Sequence, residues 1–189
     1  MSKKKKLAVV FPGIGYHVDK PLLYYGRKLL QEKDYQVVLV PYRKFPKNVK
    51  GNEKKMRAAF KTAWKQTEKM LSSIDFSEYD TIVFLSKSIG TKVAVDYAAK
   101  YQLPVYQILY TPLNVTFENF SSEAVAFHGT ADDWADTKEI QEQCRKLQIP
   151  LFLTEGANHS LECPKRNVKE NLEIIQKVME QTKWKLDLL

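Results

Sequence analysis

The chain has 189 residues, 44% hydrophobic and 28% charged, enough for one domain with a real core and unlike disordered or fibrous compositions. Its 30 basic and 22 acidic residues give a formal net charge of +8, yet no RNP-type, zinc-finger or helix-turn-helix pattern accompanies that charge, so no specific nucleic-acid partner is expected. Two cysteines without metal-like spacing, no apolar stretch near the roughly 18 residues of a membrane span and no signal-peptide core point to a reducing, cytoplasmic setting with no membrane partner.

In chain order, residues 1–6 read as a basic N-terminal tail, with Lys3 to Lys6 solvated, ahead of a single domain over 7–189. Leu7 to Phe11 is a continuous apolar run, the mark of a strand buried on both faces, and Pro12-Gly13 ends it. Pro21 to Lys33 predicts a helix with proline at its start. Tyr35 to Val40 predicts a second strand, and Glu53 to Ser72 a long amphipathic helix with apolar residues at three-to-four spacing. Thr81 to Leu85 is the third strand, followed by a helix of small residues over Ile89 to Lys100. Val105 to Tyr110 and Ala124 to Phe127 are the fourth and fifth strands, Thr137 to Leu147 a helix, Leu151 to Leu153 the sixth strand and Val168 to Lys183 the closing helix. This alternation predicts a three-layer α/β/α domain with a mostly parallel sheet of about six strands. In such sheets ligands gather beyond the carboxyl ends of the strands.

Those ends carry Pro12-Gly13-Ile14-Gly15-Tyr16-His17, Ser86-Lys87-Ser88-Ile89-Gly90, His128-Gly129-Thr130-Ala131-Asp132-Asp133 and Glu155-Gly156-Ala157-Asn158-His159. A serine, a carboxylate and a histidine emerge in that order at one sheet edge. The pattern resembles the α/β-hydrolase superfamily over nearly the whole chain, in a small, carboxylesterase-like form. In that family the nucleophile sits in a small-x-Ser-x-small elbow, matched here by Ser86-Lys87-Ser88-Ile89-Gly90, with Ser86 where glycine is commoner. Ser86 fits poorly as nucleophile because Phe84 stands two residues before it. The family's His-Gly-x-x-Asp matches His128 to Asp132 and favours Asp132 as the acid, with Asp133 the alternative. The resemblance makes His159 the base, held by the acid in one tautomer. His128 reads as structural and His17 as an exposed loop residue.

The resemblance implies an oxyanion hole from the backbone N–H groups of Ile14 and Ile89, with Gly13 allowing the turn. Gly13, Tyr16 and Trp134 are expected beside the substrate. Lys87 is expected to point away from the reacting groups or into solvent. The short interval from Thr111 to Glu123 leaves no room for the helical lid of larger relatives, so the site should be open. The implied activity is hydrolysis of small soluble carboxylesters through an acyl-enzyme, by a monomer or homodimer. No cofactor or metal is required. Thioesters and amides are the alternative substrates, and a binding protein without catalysis the alternative role. A dinucleotide site is disfavoured. Gly13-x-Gly15 lacks its third glycine, Val18 standing in its place, although Arg43-Lys44 would suit a phosphate.

Overall fold

The computed structural model describes residues 4–189. Six strands form one sheet: β1 (Lys6–Phe11), β2 (Gln36–Leu39), β3 (Thr81–Lys87), β4 (Val105–Tyr110), β5 (Glu123–Gly129) and β6 (Leu151–Thr154). Their order is β2-β1-β3-β4-β5-β6, and every neighbouring pair is parallel. Five helices connect or close them: α1 (Pro21–Glu32), α2 (Glu53–Leu71), α3 (Ile89–Tyr101), α4 (Thr137–Lys146) and α5 (Val168–Leu186).

The two-residue period of β1 divides its side chains between two cores. Ala8 and Val10 join Leu22, Leu23 and Leu30 of α1 and Ile175 and Val178 of α5. Leu7, Val9 and Phe11 join Ala63 and Leu71 of α2 and Val93, Ala94 and Tyr97 of α3. Ile140 and Cys144 of α4 pack with Val95 of α3 and with Leu109 and Ala126 of the sheet. Both faces of the sheet are therefore covered, which is why β1 is apolar from Leu7 to Phe11. The three-layer architecture is as the sequence predicts.

Local signals set the helix starts. Pro21 opens α1, and the side chains of Asn52, Asp136 and Asn167 accept backbone N–H bonds at the starts of α2, α4 and α5. Asn167 and Glu170 form a reciprocal capping box. At the N-terminus β1 starts one residue before the apolar run, at Lys6. Lys4 and Lys5 are exposed as expected, although the backbone N–H of Lys5 donates to Asp80 (2.8 Å). The first three residues of the expected tail lie outside the described residues.

Two strands run further than their apolar cores suggest. Ser86 and Lys87 pair with Leu109 and Tyr110 of β4, so β3 carries polar residues to the last position before Ser88. β5 likewise continues through His128 and Gly129, which pair with Leu153 and Thr154. The chain winds from β1 out to β2, then returns to β3 on the other side of β1. The strand order thus reverses at β1, and the crevice beyond β1 and β3 is where this class of sheet binds ligands. Between β4 and β5 the only helical element is a single 3-10 turn, Asn114–Phe117, and no lid is inserted. Among the described residues, no helix is long and apolar enough to cross a membrane.

Candidate active site

Ser88 occupies the single residue between β3 and α3, with φ 57° and ψ −127°. A serine in that region is strained, and the surroundings hold it there. Its N–H donates to the Tyr110 carbonyl (3.1 Å), and its own carbonyl accepts from the Thr91 backbone (2.9 Å) and the Thr91 hydroxyl (2.6 Å). Gly90 makes the turn possible. A Cβ there would lie 2.4 Å from the Phe11 carbonyl oxygen and 2.5 Å from that of Pro12. Gly13 lets the first loop cross the elbow, since its Cβ would lie 3.0 Å from that of Ser88. Ser86 is buried and its hydroxyl donates to the Ile108 carbonyl (3.2 Å).

Beyond β5 and β6, two loops bring Asp132 and His159 together. Gly129 lets them touch: a Cβ there would lie 2.2 Å from the Ala157 carbonyl oxygen. Ala131 donates to that same oxygen (2.9 Å), and Thr130 to the Thr154 carbonyl (3.0 Å). The Asn158 side chain accepts from the Ser160 and Glu162 backbones (2.8 and 3.2 Å), fixing the turn that carries His159.

His159 Nδ1 lies 2.7 Å from Asp132 Oδ2, and His159 Nε2 lies 2.7 Å from Ser88 Oγ. A carboxylate only accepts, so Nδ1 carries the hydrogen and donates to Asp132. Nε2 is then left as an acceptor for the Ser88 hydroxyl. The other Asp132 oxygen accepts from the Trp134 backbone (2.8 Å), and the carboxylate is fully buried. Asp133, the alternative acid, points outward and pairs with Lys50. Burial holds the His159 imidazolium below its usual range, with Lys87 adding to the effect, while the bond to Asp132 works the other way.

The Gly13 N–H is engaged by the Tyr16 carbonyl (3.1 Å), which leaves Ile14 as the next amide of the first loop. Ile89 opens α3, where an amide has no acceptor within its own helix. The side chains of Ile14 and Ile89 share an apolar cluster with Val49, Met56, Leu113 and Trp134, beside Ser88. The Trp134 ring stacks on His159, with centroids 5.3 Å apart and planes 19° apart.

One expectation needs correction. The Tyr16 side chain, expected beside the substrate, packs in the core instead; it is 7% exposed and its hydroxyl accepts the Leu22 N–H (3.1 Å), one of the free donors at the start of α1. Lys87, expected behind the reacting groups or in solvent, takes the first of these places. It is 2% exposed, with Nζ 4.7 Å from the centre of the Tyr16 ring. Burial pulls its pKa down to about 7, against an opposing pull from Asp132. His128 is buried as expected, with Nε2 3.0 Å from the Thr137 hydroxyl. Among the described residues its Nδ1 has no hydrogen-bond partner; it lies 3.7 Å from Asp132 Oδ2, a proximity the sequence signals only through their four-residue spacing. His17 is exposed, beside Asp19.

The fold has known counterparts. It is similar to an α/β serine hydrolase without lid from Xanthomonas campestris: TM-score 0.62, 13% identity, 98% of this chain and 85% of that one. It is also similar to Est1E from Butyrivibrio proteoclasticus, solved with ferulic acid bound: TM-score 0.68, 11% identity, 97% and 88% covered. An esterase from Pyrococcus furiosus aligns with TM-score 0.63, 13% identity, and 94% and 82% covered. At these identities the likeness speaks to fold alone. No curated protein matches the chain by sequence. The family model for the alpha/beta hydrolase domain matches residues 4–186, nearly the whole described chain, so the protein belongs to the α/β-hydrolase family.

Proposed function

We propose that this protein is a serine hydrolase that cleaves small carboxylesters through an acyl-enzyme. The observation that carries the reading is the unbroken hydrogen-bonded chain from Ser88 Oγ through His159 to the buried Asp132. His159 Nε2 takes the Ser88 proton as Oγ attacks the ester carbonyl. Asp132 holds the imidazole in the tautomer that leaves Nε2 free and stabilises the imidazolium that forms. The amides of Ile14 and Ile89 receive the oxyanion. The same Nε2–H then protonates the departing alkoxide. In the second half His159 takes a proton from water, the hydroxide attacks the acyl carbon, and the proton returns to Ser88.

Two features support this choice of chemistry. The depressed imidazolium keeps His159 neutral, and so able to act as a base, around pH 7. The short β4–β5 connection leaves the site open rather than roofed, which suits small or extended acyl groups. Turnover of 4-nitrophenyl acetate and butyrate by the wild-type chain, with loss of at least about 10³-fold in Ser88→Ala, is the expected result. Equal turnover by the two proteins would remove Ser88 from the mechanism.

A further inference from the structure

The net charge of +8 is not spread over the molecule. From Arg43 to Lys69 the sequence holds ten cations and two anions, Glu53 and Glu68. This segment alone therefore accounts for the whole excess, and the rest of the chain is balanced. It comprises the end of the β2–α2 connection and most of α2.

One side of the segment faces the candidate active site. Val49, Met56, Ala59 and Phe60 pack in the cluster that holds Ile89, the residue after Ser88, together with Ile14 and Trp134. Lys50 Nζ lies 5.6 Å from the Trp134 ring centre, and that ring is the one stacked on His159. The other side carries Lys44, Lys47, Lys54, Lys61, Lys65 and Lys69 into solvent. Among the described residues none of these six is in an ion pair, whereas Arg57 is held by Glu53 and Lys50 by Asp133. Arg57, Lys61, Lys65 and Lys69 also follow one another at four-residue spacing along α2, an arrangement that weakens a helix by repulsion. The fold gains nothing from this crowding, whereas an approaching anion does.

Resting on the esterase reading above, we propose that residues 43–69 are an electrostatic guide and that the physiological substrate is an anionic ester, one with a negative charge apart from its scissile bond. Unpaired lysines beside a low-dielectric wall raise the local concentration and arrival rate of an anion. Eight of the ten cations are lysines, and one of the two arginines is already engaged by Glu53. The segment thus offers a diffuse field rather than the bidentate forks that grip a phosphate backbone.

The test compares 4-nitrophenyl adipate, with its free carboxylate, and the methyl-capped neutral counterpart, from 10 mM to 0.5 M sodium chloride. The expected kcat/KM for the anionic ester is about tenfold the neutral one at low salt, falling to within about twofold at high salt. The variant Lys47→Glu/Lys54→Glu/Lys61→Glu lies outside the proposed machinery. It should lose that advantage while hydrolysing the neutral ester at the wild-type rate. Equal salt response of the two esters would overturn the guide and leave the serine hydrolase intact. So would inhibition of both by heparin with no preference between them, the signature of a docked polyanion. Failure of both esters, with no Ser88-dependent turnover, would remove the hydrolase reading and the guide together.

Discussion

Lys87→Met removes a buried ammonium and keeps a side chain of similar length. Lys87 is 2% exposed, and burial takes its pKa from 10.5 to about 7. At about 1.4 kcal/mol per pH unit, that shift corresponds to on the order of 5 kcal/mol of lost stability. The sign follows from where the proton sits. Below pH 7 both the folded and unfolded chains are protonated, and the full cost of burying the charge is present. Between about 7 and 10.5 only the unfolded chain keeps the proton, so the stability of the wild type rises with pH and the cost fades. Loss of the ammonium's contact with Tyr16, 4.7 Å away, offsets about 1–2 kcal/mol of the gain. K87M should therefore be more stable than wild type by about 3–4 kcal/mol at pH 6, a gain that disappears by about pH 10. For a chain of this size that is a rise in Tm of roughly 6–16 °C. Urea unfolding at pH 6, 8 and 10 measures it. A gain that does not change with pH, or a loss at pH 6, would refute the buried-charge argument. In the same variant the acid limb of kcat/KM should move upward, because burial still disfavours the His159 imidazolium but Lys87 no longer does.

Other substitutions separate the roles of neighbours. Asp132→Asn should lower kcat by roughly 10³–10⁴-fold, whereas Asp133→Asn, at the surface beside Lys50, should stay within about twofold of wild type in steady-state ester assays. Gly90→Ala drives a Cβ to 2.4 Å from backbone oxygen and should cost more than about 3 kcal/mol in denaturant melts. Gly15→Ala enters open space at φ +70° and should cost only about 1 kcal/mol. Ser88→Gly should melt higher than Ser88→Ala, by an amount equivalent to about 1–2 kcal/mol, because glycine relieves the strain at φ 57°. Equal melting of the two variants would mean that the elbow stores no strain.

The legible parts of the fold are those set by local pattern. Leu7 to Phe11 reads as a two-sided strand because both of its faces are covered, and the capped starts of α2, α4 and α5 read directly from Asn52, Asp136 and Asn167. Ser88, Asp132 and His159 were legible as strand-end residues, and the structure brings all three within hydrogen-bond reach. The less legible parts depend on contacts between distant segments. Nothing in Ser86-Lys87 marks a strand; the β4 ladder extends β3 through them. A lysine at a strand end reads as solvated, but the loop bearing Gly13 and Tyr16 folds over Lys87. Tyr16 turns inward because the start of α1 supplies a donor for its hydroxyl. His128 approaches Asp132 across a turn that the Asp132 N–H closes by donating to the Gly129 carbonyl (3.0 Å), a bond that a sequence pattern does not display.

If Ser88 is the nucleophile and is activated through His159, a fluorophosphonate should label it, and peptide mass spectrometry locates the adduct. One phosphonyl group is expected, on Ser88, absent from Ser88→Ala and strongly slowed in His159→Ala. An adduct on Ser86 or any other residue, or labelling of Ser88→Ala at the wild-type rate, would contradict that assignment.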